Sequence, residues 1–366
     1  MKNQITINYP INLNHKDVHI FNYVKNYTIE IPSIKKLKNV FVTNNGLVLK
    51  NGILNSKSGL NLRTNYDHSF YFEYWKTALE QNLVCKFGKS IPSIHLKEKT
   101  YLLIHSKWLN YSFWVTEYLQ RLVRVEKDIG FDNLILLYPE EWDSIPYIQE
   151  SLNAFQIEKY KIPSGHHLFI ENLIFPETRT HTSAFIPEFI KLTKERLLIE
   201  GIKRIRNINK PKYIYISRGH DIRRKIINEN ELQTFLKEKG FCIIYFENLN
   251  FWEQIIYMNN AEIIIANHGA GLANILFMNS HKIVLEFLEK DFAHYANPFP
   301  HWKLAAAVNV KYAYQLCRSN ETEDIPYTCL KKSNKTIRMD LVNRNIIVDL
   351  KKLEENLKLL MLINTK

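Results

Sequence analysis

Between Tyr213 and Phe287 four short runs rich in Ile, Val, Tyr and Phe alternate with segments whose apolar residues recur at helical spacing. The runs are YIYIS (213–217), FCIIYF (241–246), EIIIAN (262–267) and KIVLEF (282–287). The spacing predicts helices over Asn230–Lys239, closed by Gly240, over Phe251–Asn259, and after Gly271. This alternation leaves few folds open. Strands apolar throughout are buried on both faces, so the helices must cover the sheet. Connections of this length make the strands parallel, with right-handed crossovers. Ligands of such a sheet bind beyond the carboxyl ends of its strands.

A similar series precedes this one. YLLIH reads as a strand from Tyr101, LNYSFWVTEYLQRLVRVEKDIG as a helix and NLILLYP as a further strand, with helices expected over Tyr147–Phe155 and Ala184–Ile199. The first hundred residues carry short runs (YTIEI, NVFVT, GLVL, HSFYFEYW) broken by Asn-Gly, Ser-Gly and Pro, the pattern of short strands and turns. A chain of 366 residues exceeds the size of a single core. The expectation is therefore an α/β protein with a β-rich N-terminal portion, divided at the basic stretch KRIRNINKPK (203–212), which reads equally as a surface loop. The expected domains are 1–205, 206–330 and a C-terminal segment 331–366. In that segment Leu350, Leu353, Leu357 and Leu360 form a docking stripe expected to pack back on the first domain.

Several classes are excluded or disfavoured. MKNQITINYPINLNHKD has neither the apolar core nor the cleavage site of a secretory signal, and no run approaches membrane-spanning length, so a cytoplasmic location is expected. Cys85, Cys242, Cys317 and Cys329 share no CxxC spacing, which argues against a zinc knuckle or a disulfide framework. The net charge of +12 suits an anionic substrate, an anionic membrane surface or nucleic acid, and does not choose among them.

Three stretches carry chemistry. In EIIIANHGAGLANILFM the strand breaks at Asn267, and Gly269, Ala270 and Gly271 bring backbone N–H groups to a helix start, an arrangement that favours a diphosphate, with His268 placed to donate to it. The alternative is a tightly packed turn. In ISRGHDIRRKIINENEL, Ser217, Arg218, Arg223 and Arg224 follow a strand, and the arginine fork suits bidentate phosphate contacts; solvated surface arginines are the competing account. In VLEFLEKDF, Glu286 at a strand end suits ribose hydroxyls or pairing with a basic neighbour.

Taken in order, YISR, RRKIINENEL, FWEQIIYMNNAEIIIANHGAGLANILF and VLEF resemble glycosyltransferase family 61, which includes capsule, lipopolysaccharide and EGF-domain O-GlcNAc transferase-like enzymes. The resemblance covers residues 213–290 well. It implies a GT-B-like fold of two facing Rossmann-like domains, an acceptor side in the first and a nucleotide-sugar side in the second. It also implies metal-independent, inverting transfer from a nucleotide sugar. Carried over by position, Arg218, Arg223 and Arg224 become diphosphate contacts, His268, Gly269 and Gly271 the phosphate loop, and Glu286 a ribose ligand.

Family members show Asn-Tyr-x-His-Trp in the first half; here Asn110, Tyr111 and Trp114 are in register and Phe113 replaces the His. The first candidate for the general base is Glu117, with His105, His166 and His167 in reserve. The expected function is sugar transfer from a nucleotide sugar, a UDP-sugar foremost, to a hydroxyl of a capsule- or lipopolysaccharide-type polysaccharide or glycolipid. The location would be the inner face of the cytoplasmic membrane, with peripheral membrane contact, no tightly bound cofactor and no nucleic acid. The alternatives are an inactive polysaccharide-binding or scaffold protein, which Phe113 favours, and a basic nucleic-acid-binding protein.

Overall fold

The computed structural model describes residues 2–43, 45–51, 53–55, 57–58, 93–106, 109–178, 185–206, 208–219, 223–295, 299–319 and 341–365. HSFYFEYW, Trp108, Cys85 and Cys329 lie outside them. The chain forms two compact units, one of Met1–Asn3 and Ile29–Arg196, the other of Gln4–Thr28 and Leu197–Lys366. Both are built on mixed sheets with helices, as an α/β reading requires. A two-stranded ladder of β1 (Lys2–Thr6) and β2 (Asn26–Glu30) completes the sheets.

The first unit holds a seven-stranded sheet. Its strands are β3 (Ile34–Val42), β4 (Val48–Lys50), β5 (Ile53–Leu54), β6 (Ser93–Leu103), β7 (Leu134–Pro139), β8 (Glu158–Ile162) and β9 (His167–Pro176). They lie in the order β5-β4-β3-β9-β6-β7-β8. The block β9-β6-β7-β8 is parallel, and β3, β4 and β5 add to it antiparallel. From β6 the chain winds outward to β7 and β8 and then returns to place β9 on the other side of β6. The carboxyl ends of β6 and β9 therefore flank a point where the winding reverses. The helix that follows β6 begins at Tyr111–Phe113, capped by Asn110, whose side chain accepts from the Phe113 N–H at 2.9 Å. It passes through a π-helical stretch, Trp114–Tyr118, into Leu119–Asp128.

The second unit repeats this logic. β10 (Tyr213–Ser217), β11 (Cys242–Tyr245), β12 (Ile263–Asn267), β13 (Ile283–Glu289), β14 (Lys311–Ser319) and β15 (Ile346–Ile347) lie in the order β11-β10-β12-β13-β14-β15. All pairs but β14–β15 are parallel. The expected helices occur at Glu229–Glu238 and Phe251–Asn260, the latter started by a capping box between Asn250 and Glu253. Gly240 takes φ +84°, the left-handed turn that closes the first of them. β12 and β13 are buried throughout, because helices cover both faces.

Two assignments differ from the sequence reading. The C-terminal helix Leu350–Asn364 buries Leu353, Leu357 and Leu360 in the core of the second unit, with Leu236, Ile263 and Ile283, and not on the first domain. Its Leu stripe docks on the sheet it follows, since Asp349 caps it two residues after β15 ends at Ile347. Residues 4–28, assigned by sequence to the first domain, also join the second unit. The reason lies in the helix Val18–Lys25, whose Phe21 ring packs 4.7 to 5.0 Å from the rings of Phe299, Tyr314 and Trp302. Among the described residues no helix is long and apolar enough to cross a membrane.

Candidate functional site

The site of the second unit follows from its strand order. β10 pairs with β11 on one side and β12 on the other, so the sheet's winding reverses between β10 and β12. The loops leaving those two strands must diverge, and they leave a crevice at the carboxyl edge. After β10 comes Ser217-Arg218, and after β12 comes Asn267-His268-Gly269. Both motifs singled out in the sequence thus arrive at one place.

The arginines meet there. Arg218 and Arg224 each direct Nη1 toward the His268 carbonyl, at 3.4 and 3.5 Å. Arg224 holds φ +61°, a left-handed conformation that costs a residue with a Cβ roughly 1–2 kcal/mol. Two contacts hold it. Its N–H donates to the Asn343 carbonyl at 3.3 Å, and its own carbonyl accepts from Asn267 Nδ2 at 2.8 Å. Gly269 is extended (φ 172°), so its role is not conformational freedom. A Cβ there would lie 2.1 Å from Arg218 Nη1, and the glycine makes room for the guanidinium. Gly271 and Ala270 begin a 3-10 helix, Ala270–Phe277, in place of the α-helix expected after Gly271. Its residues Leu272–Phe277 are all buried, and packing on every side favours this tighter form over an amphipathic one. Arg223 is exposed and is not part of this convergence.

Ser217 has another task than that expected, and Glu286 takes the second of its two readings, pairing with basic neighbours. The Ser217 hydroxyl donates to Glu229 Oε1 at 2.6 Å and accepts the Gly219 N–H at 3.2 Å, so it fastens the turn after β10. Glu286 is 1% exposed, and both its oxygens are occupied. Oε1 accepts from His268 Nδ1 at 2.6 Å and His301 Nδ1 at 2.7 Å, and Oε2 accepts from the Tyr312 hydroxyl at 2.5 Å. A carboxylate so enclosed does not reach a ribose. Burial by itself would raise its pKa, but the two imidazoles reverse this and hold the carboxyl well below the usual range. Burial also lowers the His268 imidazole to about 4, against the opposing pull of Glu286. His268 is accordingly neutral at pH 7, with its proton on Nδ1 facing Glu286 and a lone pair on Nε2. That state accepts hydrogen bonds at Nε2, whereas the sequence reading had it donating to phosphate.

His268, Glu286 and His301 are also residue types that bind metals, and their ligand atoms lie within 4.8 Å of one another. In this arrangement both imidazole Nδ1 atoms stand at hydrogen-bond distance from Oε1, 2.6 and 2.7 Å, and each donates to it.

In the first unit, His105 follows the end of β6 and Glu117 sits in the π-helical stretch, 0% and 2% exposed. His105 packs edge-on against Trp142, with ring centroids 5.1 Å apart. Glu117 lines a cavity of about 20 Å³ with Arg121, Arg124, Pro176 and Phe189, room for about one water molecule. Neither has the exposure with which a base meets a substrate hydroxyl. His166 and His167 lie at the amino end of β9, at the opposite edge from His105, since Ser93 at the start of β6 pairs with His167. Trp114 and Trp302 are core, 0% and 1% exposed.

Sequence reasoning missed Tyr312 and Asn343 and did not single out His301. No local pattern reveals that His301, on the helix Pro300–Ala307, bonds to Glu286 on β13, 15 residues earlier.

The second unit is thus a doubly wound α/β unit with a basic, histidine-bearing crevice at the reversal of its sheet. Residues 111–285, just under half of the 366-residue chain, match the family model described as Glycosyltransferase 61. The motif resemblance and the family model thus agree over this stretch, which begins at the Tyr111 of the first half. The chain is also 38% identical over 68 residues to the EGF domain-specific O-linked N-acetylglucosamine transferase of Gallus gallus. That alignment covers 17% of this chain and 13% of the relative's length.

Proposed function

We propose that the protein is a glycosyltransferase that binds a nucleotide-sugar donor, foremost a UDP-sugar, in the crevice between β10 and β12. The observation that carries this reading is the convergence of Arg218 and Arg224 on the loop that leaves β12 at the sheet's reversal. Two guanidinium groups supply the charge that a leaving diphosphate requires, so the transfer is metal-independent in this reading. The matched family and the O-linked N-acetylglucosamine transferase relative support sugar transfer. A GT-B organisation of the two units and inversion at the sugar carbon belong to the same proposal. The acceptor is a hydroxyl of a capsule- or lipopolysaccharide-type polysaccharide or glycolipid at the inner face of the cytoplasmic membrane, where a net charge of +12 suits both donor and anionic surface.

Thermal unfolding with UDP, GDP and CMP tests it. A nucleotide at about 100 times its Kd adds about 2.7 kcal/mol, a rise of several degrees, and Arg218→Ala is expected to weaken binding about 10- to 100-fold, the value of a charged hydrogen bond. No shift with any nucleotide would sink the reading. Binding without any transfer would point to the scaffold alternative.

The glycines give a finer prediction. Gly269→Ala forces the Arg218 guanidinium aside and is expected to weaken nucleotide binding about 10-fold in a protein that still folds. Gly271→Ala places its Cβ 3.5 Å from the Phe246 ring, ordinary contact, and is expected to bind as wild type. UDP titrations of the two variants check the contrast.

A further inference from the structure

Resting on the donor-site reading, we propose that His268 is the proton acceptor of the transfer, taking the hydroxyl proton of the incoming acceptor on Nε2. Four observations carry it. First, the bond from Nδ1 to Glu286 Oε1 at 2.6 Å fixes the tautomer, which leaves Nε2 as the basic nitrogen. Nε2 has no hydrogen-bond partner among the described residues.

Second, His268 is the member of its cluster with an open side. Its side chain is 14% exposed, against 7% for His301 and 1% for Glu286. The groups that face it are Glu286 from β13, His301 from the helix Pro300–Ala307, Tyr312 from β14 by way of Glu286, and Arg224 from the loop after β10. Third, the ring is fixed in place. It meets Phe292 edge-on with centroids 5.0 Å apart and His301 at 4.9 Å, and its own carbonyl is the one on which the arginines converge. Fourth, the carboxylate and histidine first expected to act as base, Glu117 and His105, are 2% and 0% exposed.

The step balances as follows. The acceptor O–H bond breaks and its proton passes to Nε2 while the oxygen forms a bond to the sugar C1. The C1–O bond to phosphate breaks, and its electron pair leaves on the diphosphate beside Arg218 and Arg224. The imidazolium so formed lies against the Glu286 carboxylate, which His301 and Tyr312 hold in position. The proton then passes to water. A carboxylate that orients an imidazole and stabilises its charge is a recurrent solution for moving one proton.

The test uses the full chain in two measurements. In ¹⁵N-histidine NMR, with the His268 signals assigned by their loss in His268→Gln, a neutral ring protonated on Nδ1 is expected at pH 7. A ring protonated on Nε2, or on both nitrogens, would overturn the proposal. In the second, UDP release from UDP-N-acetylglucosamine is followed with a panel of simple glycosides. His268→Gln is expected to lower kcat at least about 100-fold, within the range that proton transfer contributes, with donor KM and the UDP-induced melting shift retained. Transfer within about threefold of wild type, or a change confined to KM, would overturn the base and leave the donor site standing. Loss of the UDP shift in the wild type would remove the donor site and the proposal with it, whatever the tautomer.

Discussion

Glu286→Gln is expected to leave the second unit folded and to reduce kcat at least about 100-fold, with donor KM unchanged. The amide can keep the geometry. Its oxygen can accept from His268 and His301 while its NH2 group donates to the Tyr312 hydroxyl, which turns to accept. What it cannot keep is the negative charge that raises the affinity of His268 for a proton, so the imidazolium forms less readily. The acid limb of the pH–rate profile should move to lower pH while the rate plateau falls. A residue with a merely structural role would move neither. Glu286→Ala removes the acceptor for three buried donors and is expected to cost about 3–5 kcal/mol of stability, read by urea denaturation. Stability should also respond to acid in a definite direction. His268 falls from its ordinary 6.5 to about 4 on folding, so between those values the unfolded chain binds more protons and stability declines as pH falls. Glu286, depressed from 4.5, adds stability that is full above that pH and is lost as pH falls toward its folded value. Glu286→Gln should abolish the second decline and keep the first.

Arg121→Met is expected to destabilise the first unit by about 2–5 kcal/mol without altering the UDP-induced shift. The guanidinium is 5% exposed and joins the two strand ends at the reversal of the sheet. Its Nε donates to the Pro176 carbonyl at the end of β9 at 2.8 Å, with Nη2 on the same oxygen, and Nη1 donates to the Ile104 carbonyl just beyond β6. Burial lowers its pKa to about 10, with Glu117 opposing, yet it stays charged at pH 7. Methionine matches the stem and none of the donors, so two buried carbonyls lose their partners at about 1–3 kcal/mol each. A melting profile resolved by unit would show the loss in the first unit alone. At the reversal of the second unit's sheet two arginines converge on a loop carbonyl, and at that of the first a single arginine joins the two strand ends.

How much of this could be read from sequence depended on range. YIYIS and the apolar cores of EIIIAN and KIVLEF were legible because strands buried on both faces are uninterrupted apolar runs, and their boundaries fell within a residue or two. The helices beginning at Glu229 and Phe251 carried periodicity in their own local sequence, and the second a capping box as well. Arg218, Arg224 and His268 were legible as a site because each directly follows or lies near a strand end. Glu286 was placed on its strand with two tasks open, ribose hydroxyls or a basic neighbour; the structure pairs it with His268, His301 and Tyr312, 18, 15 and 26 residues away, and periodicity carries no information about such pairs. The 3-10 helix after Gly269 and the π-helical turn at Glu117 share their apolar pattern with an α-helix, so only packing distinguishes them.

The return of residues 4–28 to the second unit bears on how the chain is made. During synthesis these residues emerge long before their partners. The Ile11 N–H bonds to the Tyr312 carbonyl, Asn12 bonds to Tyr314 and Asn356, and the Trp302 indole donates to the Asn8 carbonyl. The helix Val18–Lys25 must therefore wait until Phe299, Trp302 and Tyr314 have been made, while Ile29–Arg196 can fold as it emerges. A nascent chain of this kind exposes Ile20 and Phe21 to chaperones early, and a gene fragment starting at Leu197 would yield a second unit missing part of its own core. Any attempt to express that unit alone must carry its first strand and helix with it, either as a fused leader or supplied as a separate peptide.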